Sequence, residues 1–277
     1  MRLSLIKIRM RKTFYLLGIM SATLGMACDN PFAYSYLPET AAAGRFEVEQ
    51  YATWRAGRDL GTGYQSAYQG INFETEIEYG LTRCDQLTLE VNQVYLNHAA
   101  VNGLRFGGVK LGYLHRFSNA ASQEWGSAVY VETGNVQVDD GDGTLTNGWS
   151  AEFKWIWQHN FGEGQAWMYA GNLIVEPTWF QGESVSTEYT LTQGLMYNLS
   201  RNWFVGIEAL GVMECAGWSQ HQASAIYMGP TLAYQGERCF ANLGIQWQVR
   251  GAPTNQGQLN VTEFSPFQIR LKCGVQF

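Results

Sequence analysis

The sequence has few charged residues, few prolines and no apolar run long enough to cross a membrane as a helix. Of 277 residues, 15% are charged and 6 are proline. The longest apolar stretch, residues 13–27, is shorter than the about 20 residues that a spanning helix needs. The mean hydropathy of −0.19 is also low. The sequence therefore excludes a bundle of transmembrane helices.

Cysteine is sparse as well, and its spacing indicates no metal centre. The chain has 5 cysteines, at Cys28, Cys84, Cys215, Cys239 and Cys273. They form no CxxC pair, and their odd number implies no complete disulfide framework. We therefore predict neither a bound metal nor a cofactor.

The N-terminus has the pattern of a secretory signal peptide, in which a basic region and a short apolar region precede small residues. Cleavage after Ala27 fits best, so residues 1–27 form the predicted signal peptide. Five of the 18 basic residues lie in it, which leaves 13 against 24 acidic residues and a net charge of −11. This acidic balance argues against a nucleic-acid partner, which requires a basic surface.

The C-terminal stretch, residues 265–277, alternates strictly between apolar and polar residues: SPFQIRLKCGVQF. Side chains alternate faces along a strand, so this pattern predicts a strand with one apolar and one polar face. It ends on Phe277, which resembles the C-terminal strand by which outer-membrane barrels are recognised for insertion. The expected partners are thus outer-membrane lipid and the barrel insertion machinery, and the expected location is the bacterial outer membrane.

The same alternation recurs along the chain in about twelve segments separated by turn residues. We predict an all-β protein, a transmembrane antiparallel up-and-down β-barrel of about twelve strands with both termini periplasmic. Residues 45–277 form the barrel, and residues 28–44 form a periplasmic lead (the lead). A soluble sandwich is the alternative, but it explains neither the signal peptide nor the terminal phenylalanine.

Five stretches narrow this interpretation: LPETAAAGRFEVEQYATWRAG, FETEIEYGLTRCDQLTLEVN, NWFVGIEALG, MGPTLAYQGERCFANLG and RLKCGVQF. In this order they resemble an uncharacterised family of bacterial outer-membrane barrels, from about Leu37 to the C-terminus. The resemblance implies fold and location. It supplies no catalytic residues.

Charged residues concentrate on the face of the strands that should point inward. They form a predicted lumen charge network of Arg45, Glu47, Glu49, Glu74, Glu76, Glu78, Glu90, Lys110, Arg116, Glu132, Glu152, Lys154, Glu176, Glu188, Glu208, Arg270 and Lys272. Two interpretations stay open. The charges can form salt bridges that fix the strand register, since buried charges must be paired or hydrated. They can also line an acidic pore that favours cations and passes small solutes.

Closure of the barrel brings the last strand beside the first, so we expect Arg270 and Lys272 near Glu47 and Glu49. A symmetric connection between the last two strands would also place Cys239 opposite Cys273. We predict that these cysteines are close cross-strand neighbours, with or without a bond.

Two other functions compete with a channel. One is a non-conducting structural or surface-binding barrel. The other is an enzyme that hydrolyses or transfers lipid acyl groups, for which the string WSQHQAS around His221 is the nearest candidate. That string lacks the His-x-Ser spacing of the outer-membrane phospholipase family, so we predict no catalytic residues.

Overall fold

The computed structural model describes residues 30–59, 69–98, 101–139 and 143–277. The predicted signal peptide and Cys28 lie outside the described residues. Within these ranges no helix is long and apolar enough to cross a membrane. The twelve strands are β1 Phe46–Ala56, β2 Gln69–Gly80, β3 Asp85–His98, β4 Val101–Ser118, β5 Gly126–Val138, β6 Leu145–Phe161, β7 Trp167–Phe180, β8 Ser186–Ser200, β9 Trp203–Ala216, β10 Gln220–Gln235, β11 Cys239–Ala252 and β12 Phe267–Gln276.

The strands form one closed antiparallel barrel in chain order, which confirms the predicted fold. Closure occurs between β1 and β12, whose Cα partners run from Glu47 opposite Gln276 to Ala56 opposite Phe267. A closed sheet leaves no edge with unpaired backbone N–H and C=O groups, which is what a strand structure requires in lipid.

The alternating sequence pattern becomes an apolar outer face and a polar interior. Many leucine, isoleucine and valine side chains point outward and are exposed, for example Leu173 in β7 and Ile207 in β9. Their neighbours along each strand point inward and are buried, for example Asn172 and Glu208. The molecule therefore inverts the usual arrangement of a soluble protein, because its outer face is the one that suits lipid.

Aromatic rings cluster near both ends of the strands. At the end where β1 begins and β12 finishes (the terminus end), Trp167 lies 4.8 Å from Tyr197, and Trp203 lies 5.2 Å from Tyr234. At the opposite end, Trp247 and Phe267 pack at 5.6 Å. Rings at two levels are typical of the two interfaces of a membrane.

The described part of the lead, residues 30–44, folds into the barrel. Phe32, Tyr34 and Leu37 are nearly fully buried, and the segment contacts inward-facing residues of strands on every side of the barrel. The sequence analysis treated this segment as separate from the barrel. The segment has no alternating pattern, so nothing in it indicated that polar side chains of the wall would bind its backbone.

Candidate functional site

One carboxylate of the wall binds three consecutive backbone amides of the lead. Glu208 accepts hydrogen bonds from the N–H groups of Ala33 at 2.9 Å, Tyr34 at 3.0 Å and Ser35 at 2.9 Å. The Thr231 hydroxyl donates to the same carboxylate at 2.6 Å. Hydrogen bonds to a charged acceptor are stronger than those between neutral groups. Glu208 is therefore the main polar attachment of the lead.

Side-chain amides of the wall bind other backbone groups of the lead. Asn172 accepts from the Tyr36 N–H at 2.7 Å and donates to the Tyr36 carbonyl at 2.9 Å. Asn242 donates to the carbonyls of Asn30 at 2.7 Å and Phe32 at 3.0 Å. These contacts satisfy backbone groups that a buried segment without a strand partner would otherwise leave unpaired.

Two tyrosines of the lead lie under buried cations of the wall. The Lys154 Nζ atom lies 3.7 Å from the Tyr36 ring centroid, and the Arg270 guanidinium lies 4.8 Å from that of Tyr34. Such cation–π contacts are favourable. Burial raises the pKa of both phenols well above the usual range.

The link between β11 and β12, residues 253–266, folds into the other end of the barrel. Gln248 binds Asn260 through both backbone groups, accepting from its N–H at 2.8 Å and donating to its carbonyl at 3.0 Å. The Tyr227 hydroxyl donates to the Ser265 carbonyl at 2.8 Å. Phe264 packs beside Tyr227 on the inner wall. Both ends of the lumen are thus narrowed by chain that is not part of a strand.

A cavity of about 610 Å³ lies between these two segments. Tyr34 and Tyr36 of the lead border it, as do Phe264 and Ser265 of the link. The strand residues that line it include seven glutamates and four basic residues: Glu74, Glu90, Glu132, Glu152, Glu176, Glu188, Glu214, Arg55, Lys110, Lys154 and Arg270. The cavity is therefore polar, with an excess of acidic groups.

Lys110 is the centre of the ion pairs around this cavity. Its Nζ atom lies 3.0 Å from Glu176, 3.2 Å from Glu132 and 3.8 Å from Glu90. A second pair joins Lys154 to Glu152 at 2.8 Å. Lys110 on β4 pairs with carboxylates on both neighbouring strands, Glu90 on β3 and Glu132 on β5, so its ion pairs join three strands as well as neutralising charge. Lys154 and Glu152 both lie on β6, so their pair neutralises charge within one strand.

Glutamates also face one another directly across neighbouring strands. Glu49 on β1 opposes Glu76 on β2, and Glu76 opposes Glu90 on β3. Carboxylate oxygens of Glu49, Glu76 and Glu78 lie within 4.8 Å of one another, close enough to share a cation. Opposed like charges are unfavourable. Basic groups lie at both sides of this row, because Lys272 is 2.8 Å from Glu49 and Lys110 opposes Glu90.

Four of the remaining members of the predicted network lie on the inward face of their strands: Glu47, Glu74, Glu78 and Glu188. The predicted placement of Arg45 in the lumen is wrong, because Arg45 is exposed and precedes β1. Arg116 lies at the terminus end and pairs at 3.1 Å with Glu39 of the lead.

One contact differs from what closure alone suggested. Arg270 donates to the Thr53 hydroxyl at 2.8 Å rather than pairing with Glu47 or Glu49. Glu214 and Arg55 also line the cavity. Neither residue is in the predicted network. Each continues the inward alternation of its strand, which is the signal that could have found it.

The cysteine prediction is wrong in its register. Cys239 opposes Val275 and Cys273 opposes Ala241, so the two cysteines are diagonal rather than direct neighbours, and both are free thiols. The ladder begins at Trp247 opposite Phe267 because residues 253–266 turn into the lumen instead of forming a symmetric hairpin.

His221 lies at the start of β10, at the end of the barrel away from the terminus end, and its Nε2 atom is 3.2 Å from the Ser224 hydroxyl. Both belong to the string that the sequence analysis weighed for acyl chemistry. Nucleophilic catalysis requires a third group that orients the histidine. Among the described residues, Ser224 is the hydrogen-bond partner of the His221 ring, and no third group is hydrogen-bonded to it.

An apolar outer face, a closed twelve-strand sheet and a polar lumen define a β-barrel of the outer-membrane type. Residues 25–277 match the model of DUF6662, a family of unknown function, so the chain belongs to that family. No curated protein matches the chain.

Solved structures with a similar fold are outer-membrane proteins. The COG4313 outer membrane channel from Pseudomonas putida F1 is 15% identical with a TM-score of 0.59, over 90% of this chain and 99% of that chain. The NanC porin is 9% identical with a TM-score of 0.50, over 82% of this chain and 98% of that chain. At these identities the similarity concerns the fold.

Proposed function

We propose that this protein is a channel for small solutes in the bacterial outer membrane, with a lumen that favours cations and with the terminus end in the periplasm. The observation that carries the proposal is the excess of glutamates over basic residues around the central cavity. Rings of carboxylates attract cations and repel anions in channels. The similarity in fold to an outer membrane channel and to a porin supports a transport role.

The test is ion selectivity of the purified full-length protein in a planar lipid bilayer. A salt gradient should give a reversal potential of the sign that marks cation preference. Glu188→Gln with Glu214→Gln should move that potential towards zero, because both carboxylates line the cavity. Glu163→Gln is the matched control, because Glu163 is exposed in the turn between β6 and β7. Anion preference, or equal shifts in the two variants, would contradict the proposal.

A non-conducting structural or surface-binding barrel is the second candidate. The observation that favours it is that the lead and the link between β11 and β12 both fold into the lumen. Absence of conductance under all voltages and in all lumen variants would support this candidate and overturn the channel.

We also propose that β12 presents the chain to the barrel insertion machinery, as the sequence suggested. Phe277 follows β12 directly, has an exposed side chain and donates its N–H to the Phe46 carbonyl at 2.9 Å. Phe277→Ala should slow assembly in vesicles that contain the machinery and leave spontaneous folding into plain vesicles unchanged. Equal rates in the machinery-containing vesicles would contradict this role.

A further inference from the structure

We propose that residues 30–43 are a tethered gate that closes the lumen at the terminus end, and that Glu208 is the latch that holds the gate shut. The inference rests on the proposed channel function and adds its regulation. It depends on how the lead is attached, how the wall is shaped around it, and where the chain can turn.

The lead is not part of the strand ladder of the barrel. Its backbone pairing with the wall, within the described residues, is an isolated bridge between Ala43 and Gly80 at the point where the lead joins β1. The other hydrogen bonds between lead backbone and wall use wall side chains, chiefly Glu208, Asn172 and Asn242. The lead can therefore leave without breaking a hydrogen bond between two strands.

The inner wall carries glycine where the lead packs most closely. A Cβ atom at Gly194 would lie 2.5 Å from the Phe32 ring, and one at Gly244 would lie 2.6 Å from the Ala33 Cβ atom. Real Cβ atoms do not approach other atoms so closely, so these positions accept the lead only as glycine. The wall thus forms a recess that fits the lead side chains.

The latch is a carboxylate whose hydrogen bonds come from neutral donors. Glu208 binds three lead amides and the Thr231 hydroxyl, and no described basic side chain forms an ion pair with it. Release of the lead would expose this negative charge to lumen water at the terminus end. Opening the gate would thereby add a carboxylate to the cation path.

Gly44 lies between the gate and β1 and supplies the turn. Its φ angle is +76°, a conformation that residues with side chains rarely adopt, and a Cβ atom there would have no neighbour within 4 Å. No atom lies where a side chain at Gly44 would project, and the Gly44 N–H donates to the Gly80 carbonyl at 2.7 Å. This backbone contact with β2 keeps the gate attached to the barrel when the segment before it swings out.

The experiment combines conductance with a direct measurement of lead position in the full-length protein. Glu208→Gln replaces one acceptor oxygen by an NH₂ group that faces the lead amides. Phe32→Ala removes the side chain that fills the Gly194 recess and leaves the wall unchanged. Phe46→Ala is the matched control, because Phe46 is exposed on the outer face. A Ser35→Cys substitution in each background reports lead position through its reaction with a bulky maleimide, mapped by peptide mass, since Ser35 is buried when the gate is shut.

We expect Glu208→Gln and Phe32→Ala to raise both open time and labelling at position 35 by roughly tenfold, the factor expected for one lost charge-assisted hydrogen bond or a lost aromatic anchor. Phe46→Ala should change neither. If the wild type already conducts as well as the variants while position 35 stays protected, the gate is overturned and the channel stands. If position 35 becomes reactive and no variant conducts, the channel itself is overturned. If neither measurement changes in a folded Glu208→Gln protein, Glu208 is not the latch.

Discussion

At the scale of single residues, the interior depends on how each buried carboxylate finds a partner. Lys110, Lys154 and Lys272 each pair with glutamate at 3.0 Å or less, and tyrosines supply further donors, such as the Tyr51 hydroxyl to Glu49 at 2.5 Å. Removal of one partner from a buried pair is more damaging than the pair is stabilising, because it leaves an uncompensated charge.

Lys272→Gln should therefore destabilise the barrel by about 3–5 kcal/mol, since Lys272 and Glu49 are both buried at the closure between β12 and β1. The measurement is urea unfolding in lipid vesicles, followed by tryptophan fluorescence. Arg45→Gln is the matched control and should change the free energy of unfolding by less than about 0.5 kcal/mol, because Arg45 is exposed. Equal unfolding midpoints for the two variants would show that the pair does not stabilise the closure.

At the scale of elements, the pairing of β11 with β12 shows how a connection decides register. Gln276 donates its N–H to the Arg238 carbonyl at 2.9 Å, which makes the next pair, Cys239 and Val275, a non-hydrogen-bonded one. The Cα atoms of such pairs lie about 4.5 Å apart, within the range of a disulfide.

Val275→Cys should consequently form a disulfide with Cys239 under mild oxidation, as shown by non-reducing peptide mass mapping. The wild-type protein should keep Cys239 and Cys273 as separate thiols under the same conditions, because they are diagonal. Ala241→Cys provides a second variant, in which the new thiol opposes Cys273. A bond between Cys239 and Cys273 in the wild type would show that the register is the one first expected from the sequence.

At the scale of the whole molecule, the apolar outer face makes lipid the solvent of the barrel. Leu173 lies in the middle of β7, opposite Trp155 and Leu191 on the neighbouring strands. Leu145, in contrast, is the first residue of β6 and is 71% exposed. The two leucines differ in their distance from the centre of the outer face.

Leu173→Arg should destabilise the folded barrel in vesicles by about 2–4 kcal/mol, the effect of an arginine at the bilayer midplane, whereas Leu145→Arg should have an effect of about 0–1 kcal/mol. Both values come from urea titration in vesicles of the same lipid. Similar losses at the two positions would be inconsistent with a lipid belt around the middle of the strands.

Strand number, strand order and the direction of most side chains were predictable from the sequence, because alternation repeats at every strand. Glu132 and Lys154 were assigned to the lumen from the alternation of apolar and polar residues alone, and the structure places both beside the cavity. Strand ends are less predictable, and Arg55 and Glu214, which lie near the ends of β1 and β9, were not in the predicted network. The face that a residue occupies follows from its place in the alternating pattern, whereas the point at which a strand ends depends on the strands beside it.

The barrel, its apolar outer face and its acidic interior follow from the amino-acid pattern, because a period of two fixes which side chains share a face. What fills the interior depends on contacts between distant parts of the folded chain. The lead and the link between β11 and β12 have no periodic pattern, and their positions depend on wall side chains far away in the chain, such as Glu208 and Gln248. Closure of the sheet brings these residues together, and no local pattern in the lead predicts that its backbone amides will bind the Glu208 carboxylate on β9.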